Sequence, residues 1–254
     1  MKRALVLAAL ALSCSSTNTG ADYVDFEFAA AGPAAAGGGS YTFRNAAGYE
    51  VRLTKARLFV GAVYFNEQTA IVGRPQESCL LESAYVGQVT TGRWVDVLSS
   101  SPQAFPVLGN GIALQARLMQ LWLTAGSVND LNSAPLILEA VGVAKRDGVD
   151  YEFDASITIG ANRLSGTTDP AKPGANPICL QRIVSPIPVS VTPKAGARIV
   201  LRIDPAGWFA NVEFNELPKP TTGTRYTFND ASEGQPSINL YRGVHSLAGV
   251  YSLE

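Results

Sequence analysis

Histidine is nearly absent from this sequence: His245 is the only one in 254 residues. Any hydrolytic design built on a Ser-His or Cys-His pair therefore rests on a single side chain. Its neighbour Ser246 is adjacent in sequence and on a helix points in another direction. No G-x-S-x-G elbow occurs either, so a catalytic triad is not expected. One histidine and three cysteines also leave too few nitrogen and thiolate ligands for zinc or copper. Basic runs are missing: the net charge is −1 and the charges are scattered singly, so nothing tracks a phosphate backbone and nucleic acid is not an expected partner. No apolar run approaches the roughly 20 residues a spanning helix needs. No segment repeats at a fixed period, which argues against propellers and solenoids.

What is present begins at the amino end. Lys2 and Arg3 give a positive start, Ala4 to Leu12 form a nine-residue apolar run, and Ser13 places a small residue directly before Cys14. Leu10-Ala11-Leu12-Ser13-Cys14 resembles the lipobox of bacterial lipoproteins, with Ala11 where family members usually carry Leu. The resemblance covers the leader alone. It implies that residues 1–13 are a signal peptide and that Cys14 becomes the acylated, palmitate-bearing amino end. Residues 14–21 would then form a tether, and residues 22–254 a single domain. The several acyl chains of such a cysteine add about 0.8 kcal/mol per buried methylene, enough for lasting attachment to a membrane. Ser15 fits the family's sorting rule for the outer membrane. The competing reading is cleavage after Ala11, at the A-x-A match Ala9-Leu10-Ala11, which yields a soluble secreted or periplasmic protein.

With Cys14 assigned to lipid, Cys79 and Cys179 remain as a pair. In an oxidising compartment a matched pair is normally a disulfide. Closing that loop is worth up to about 4.7 kcal/mol in the chain-entropy model. Both cysteines follow turn-rich stretches, 74–78 and 173–177, as a staple between surface segments would. The alternatives are two unpaired buried thiols or metal ligands, the latter disfavoured because no histidines cluster with them.

Along the chain the period is two. Val24, Phe26 and Phe28 alternate with Asp25 and Glu27, and residues 29–40 then break the pattern. The Gly-Gly-Gly-Ser at 37–40 precedes no helix and reads as a turn, not a phosphate cradle. Residues 41–44 and 49–66 form a strand pair, with a bulge or bend expected near Lys55-Ala56 where both parities become apolar. Residues 85–91 and 94–98 are further strands. Residues 112–124 combine helix-forming composition with a strand-like face and are assigned as strand. Residues 136–145 and 151–159 read as an antiparallel hairpin reversed at Asp147-Gly148. Residues 178–184 and 189–191 read as short edge pieces, because Pro186, Pro188 and Pro193 donate nothing to a ladder. Residues 198–204 form one more strand, and Asp204-Pro205 opens a helical turn presenting Trp208 and Phe209. Residues 217–236 read as polar loop. Residues 237–253 show helical spacing, with Gly243 and Gly249 each weakening the helix by about 1 kcal/mol. The sum is an all-β fold, an antiparallel β-sandwich with a short C-terminal helix.

Three constellations compete for chemistry. Glu213 and Glu216 follow Trp208 and Phe209, and a glycosidase needs two acids beside a sugar, so this group is the candidate binding or hydrolytic site. An outward strand carboxylate is the ordinary explanation for Glu213. Asp147, Asp150, Glu152 and Asp154 offer hard oxygens for Ca²⁺ in an adhesion domain, yet they lie along one extended strand without EF-hand spacing. Trp94, Trp122 and Trp208 are more often core than ligand platforms. The expectation is a lipid-anchored, non-enzymatic envelope protein that binds another envelope protein or a glycan, with no cofactor, no catalytic residue and no metal.

Overall fold

A computed structural model describes residues 21–37, 39–68, 84–125, 128, 135–159, 181–228, 234–247 and 249–254. The leader, Cys14, Cys79, Cys179 and the turn-rich stretches before the last two cysteines lie outside the described residues.

Among the described residues, two sheets make up the body. Strands are numbered in chain order. The larger sheet runs β12 (Ile183–Val191), β9 (Ala116–Trp122), β4 (Val63–Asn66), β5 (Tyr85–Val89), β8 (Gly109–Ile112), β1 (Tyr23–Ala31), β13 (Arg198–Ile203), β15 (Tyr251–Leu253), with β7 (Gln103–Ala104) also on β1. The smaller runs β14 (Tyr226–Phe228), β11 (Val149–Thr158), β10 (Leu136–Arg146), β3 (Glu50–Val60), β2 (Tyr41–Arg44), with β6 (Arg93–Asp96) also on β3. The all-β expectation holds, and the large sheet curls until its end strands β12 and β15 pack against each other, which gives the sandwich a barrel-like outline. It is not wholly antiparallel: β1 pairs with β13, and β11 with β14, in parallel.

The period-two pattern decides what each strand buries. In β1, Val24, Phe26 and Phe28 are buried while Tyr23, Asp25 and Glu27 face water. This strand runs on through Ala29 to Ala31, beyond the expected break, because these small residues are buried and pair with β13 and β7. The hairpin β10–β11 has the expected register, Arg146 opposite Val149, with Asp147 (φ 52°) and Gly148 (φ 78°) both left-handed, as a two-residue reversal requires. The bulge in β3 falls at Thr54, where Lys55 faces Val141 but Leu53 faces Gly142. Beyond Val60 the chain passes through Gly61 and Ala62 from the small sheet into β4 of the large one. Apolar residues of both parities there reflect that change of sheet, not one strand buried on two faces.

Residues 112–124 divide between the end of β8 and β9, and β9 is a strand whose residues Leu118 to Leu121 are all buried. The proline-rich stretch gives one edge strand, β12, in place of two pieces. The expected polar loop contains β14, and the C-terminal stretch divides into α1 (Gln235–Val244) and β15. Gly234 caps α1, two residues before its first buried side chain, Pro236, which occupies the first turn.

One buried cluster joins both sheets and the helix, drawing on Phe26, Phe65, Leu53, Phe153, Trp208 and Leu240. Helix α1 docks through Gly243, where an added Cβ would lie 2.2 Å from the carbonyl oxygen of Trp208. Propensity alone favours Ala there by about 1 kcal/mol. The contact is with backbone, which cannot swing aside, so Gly243→Ala should instead destabilise by about 1–3 kcal/mol. Thermal unfolding checks this; a raised melting temperature would contradict the docking.

On the outer face of the small sheet, Glu139 of β10 lies opposite Arg57 of β3 and accepts hydrogen bonds from Arg57 and from Lys55 Nζ at 3.3 Å. Burial by itself pushes this carboxyl up, but the two cations outweigh it and hold it below its ordinary value. A depressed folded value stabilises the fold above the unfolded range and is lost as pH falls through it. Both cations are exposed, so the contribution is under about 1 kcal/mol. Glu139→Gln should flatten the acid side of the stability profile slightly in urea titrations run at a series of pH values; a steeper acid limb would be the contrary result.

Candidate functional site

The Asp204-Pro205 turn forms as its sequence suggests: Asp204 Oδ1 accepts from the Ala206 N–H at 2.9 Å and the chain enters a 3-10 turn, Gly207–Phe209. Its side chains go inward. Trp208 and Phe209 are 0% exposed, so as placed neither offers a ring to a ligand, and the expected presentation is corrected to a core role. The cause is the close docking of α1, where Gly243 lies directly on the Trp208 backbone. Phe209 instead packs on Phe43, Phe153, Phe214 and Phe228 at centroid distances of 6.2, 5.4, 6.1 and 6.2 Å.

Glu213 precedes a second 3-10 turn, Phe214–Glu216, and is not on a strand. Its Oε2 accepts from Arg146 Nη1 at 2.8 Å, and the same nitrogen donates to the Ala47 carbonyl at 3.0 Å. The guanidinium lies over the Tyr49 ring, 4.1 Å from its centre. Burial pushes the Tyr49 phenol above its ordinary value, and its O–H donates to Asn215 Oδ1 at 2.8 Å. Glu213 thus braces the β2–β3 turn, while Glu216 is exposed. The rings the sequence places beside these acids, Trp208, Phe209 and Phe214, are all buried.

The acids of β11 spread along its length toward separate cations: Asp150 to Lys145 at 3.3 Å, and Glu152 to Arg225 at 3.9 Å. Among the described residues no three His, Cys, Asp or Glu converge. His245 sits with Nδ1 3.0 Å from the Tyr241 carbonyl and Nε2 2.8 Å from that of Gln181, so the ring ties α1 to the start of β12. A cavity of about 220 Å³ is lined by Arg202, Asp204, Ser252 and Glu254, but Arg202 already donates to Gly32 O, Ser100 O and Glu254 Oε2. It is a clamp between β13 and the chain beyond β1.

A different surface emerges on the outer face of the large sheet. Tyr64 of β4 lies opposite Gln88 of β5, Gln88 opposite Asn110 of β8, and Asn110 opposite Asp25 of β1. Four side chains on four adjacent strands therefore form one row across the sheet. Their strand neighbours Val63, Phe65, Val89, Val24 and Phe26 are buried, which fixes the row outward. Gln88 Nε2 donates to Asn110 Oδ1 at 3.3 Å. At one end Tyr64 meets Tyr85 and Trp122, with ring centres 5.3 and 5.1 Å away and the planes inclined by 61° and 50°. Tyr23, two residues before Asp25 and on the same face of β1, is 73% exposed. Trp122 is half-buried at this edge and so is not wholly core. Sequence reasoning marked Asp25 as outward but missed the row, since alternation gives a face and only cross-strand register gives neighbours.

Compared with known proteins, the chain matches no family model, no curated protein and no solved structure.

Proposed function

We propose that this protein is a non-enzymatic binding module of the bacterial envelope, exported by its leader, held at the outer membrane by lipid on Cys14, and engaging its ligand through the outer face of the large sheet. The observation that carries the reading is the contrast between two sets of side chains. Of the two acids a hydrolase would use, Glu213 is spent on Arg146 and Glu216 is exposed, whereas the row from Tyr64 to Asp25 presents polar groups and a ring in register. Binding sites combine a rigid platform with a few placed polar groups, and residues held in a sheet are positioned more precisely than residues on loops.

The test is turnover. Mature protein incubated with a panel of soluble glycans should release no reducing ends, and Glu213→Gln and Glu216→Gln should behave like the parent. Hydrolysis by the parent, lost in either variant, would replace this reading with that of a secreted glycan hydrolase.

A further inference from the structure

We infer that the row Tyr64, Gln88, Asn110 and Asp25, with Tyr23 at its end, is a binding site for a neutral oligosaccharide; this rests on the binding-module reading and names its ligand class. Three strand spacings separate Tyr64 from Asp25, roughly 14 Å, enough for a short run of sugar units lying across the strands. A sugar hydroxyl both donates and accepts, and carboxamides are the side chains that offer a carbonyl oxygen and two N–H donors together. Gln88 and Asn110 spend one donor and one acceptor on each other. Among the described residues that leaves Gln88 Oε1 and the Asn110 amide nitrogen for a ligand, and the mutual bond fixes both side chains in advance.

The charge of the row selects within glycans. Asp25 is its one charged member and accepts hydrogen bonds from hydroxyls, while repelling an acidic polymer. The nearest cation along β13, Arg198, is held by Glu27 at 2.7 Å. Tyr23, whose exposed ring has an apolar body and a polar tip, supplies a stacking surface beyond Asp25. A protein partner would call for a buried aromatic or apolar anchor at the centre of the face, where this row has two amides.

The experiment is isothermal titration calorimetry on the full mature chain in detergent. The probes are hexasaccharides of β-1,4-linked glucose, mannose and N-acetylglucosamine and of α-1,4-linked glucose, with polygalacturonate as the acidic control. At least one neutral hexasaccharide should bind saturably. Gln88→Ala/Asn110→Ala should weaken it at least tenfold, since each net neutral hydrogen bond contributes a severalfold factor. Tyr23→Ala, at an exposed position, should weaken it severalfold with the melting temperature unchanged. Absence of binding by all four neutral probes, undiminished binding in the variants, or binding of polygalacturonate alone would each overturn the site. Hydrolysis of a bound probe would overturn the non-enzymatic reading and leave the site standing.

Discussion

Trp208→Ala should cost about 3–5 kcal/mol of unfolding free energy, measured by urea titration, and should broaden or abolish the cooperative transition. Trp208 is the largest fully buried side chain described, and its backbone is pinned against Gly243 of α1. Collapse around the lost indole is resisted from two sides, by the helix and by the phenylalanine cluster that continues from Phe209 into the small sheet. Large-to-small substitutions cost most where the surroundings cannot relax. Among the described residues its Nε1 has no hydrogen-bond partner, so Trp208→Phe removes volume without orphaning an acceptor there and should cost clearly less. A stability loss below about 1 kcal/mol for the Ala variant would return Trp208 to the surface and reopen the site first expected from the sequence.

Asn45→Ala ranks beside it. One amide side chain, in the turn between β2 and β3, donates to the Phe209 carbonyl at 3.0 Å and to the Val212 carbonyl at 2.9 Å, and accepts from the Tyr49 N–H at 2.9 Å. All three bonds are buried. Removing the amide leaves the Val212 carbonyl and the Tyr49 N–H without this partner, each costing about 1–3 kcal/mol, while the Phe209 carbonyl keeps the Val212 N–H at 3.1 Å, so a total of about 2–4 kcal/mol is expected after partial relaxation. Asn45→Asp is the sharper version: it is close to isosteric and keeps the acceptor, but turns a double donor into a carboxylate facing two carbonyl oxygens. It should be no better than Ala. Stability of Asn45→Asp equal to the parent would show that the turn is not anchored through this residue.

Local chemistry made much of the fold legible. The β10–β11 hairpin declares itself through alternation on both sides of Asp147-Gly148, and the β3 bulge is marked by a change of parity one residue from where it falls. The prolines of β12 place it at an edge. What alternation does not carry is adjacency. Phe28 pairs in parallel with Ile199, far along the chain, and no local pattern in either strand announces it. β14 is three residues long and forms against a ready-made edge of β11, so its own sequence reads as loop. The burial of the rings at the Asp204-Pro205 turn is hidden from local pattern for the same reason. Trp208 and Phe209 follow a turn that does form, but their burial depends on α1 folding back over that turn, a tertiary event. The row on the large sheet is assembled from Tyr64, Gln88, Asn110 and Asp25, each unremarkable in its own strand.

The proposed address of the molecule rests on the leader, and one measurement addresses it most directly: intact mass of the protein extracted in detergent from its native host. The account predicts a chain beginning at Cys14, heavier than its sequence by a diacylglyceryl group and an amide-linked acyl chain, and lighter by two hydrogens for a Cys79–Cys179 bond. An unmodified chain beginning at Leu12, or one still carrying Met1, would contradict it.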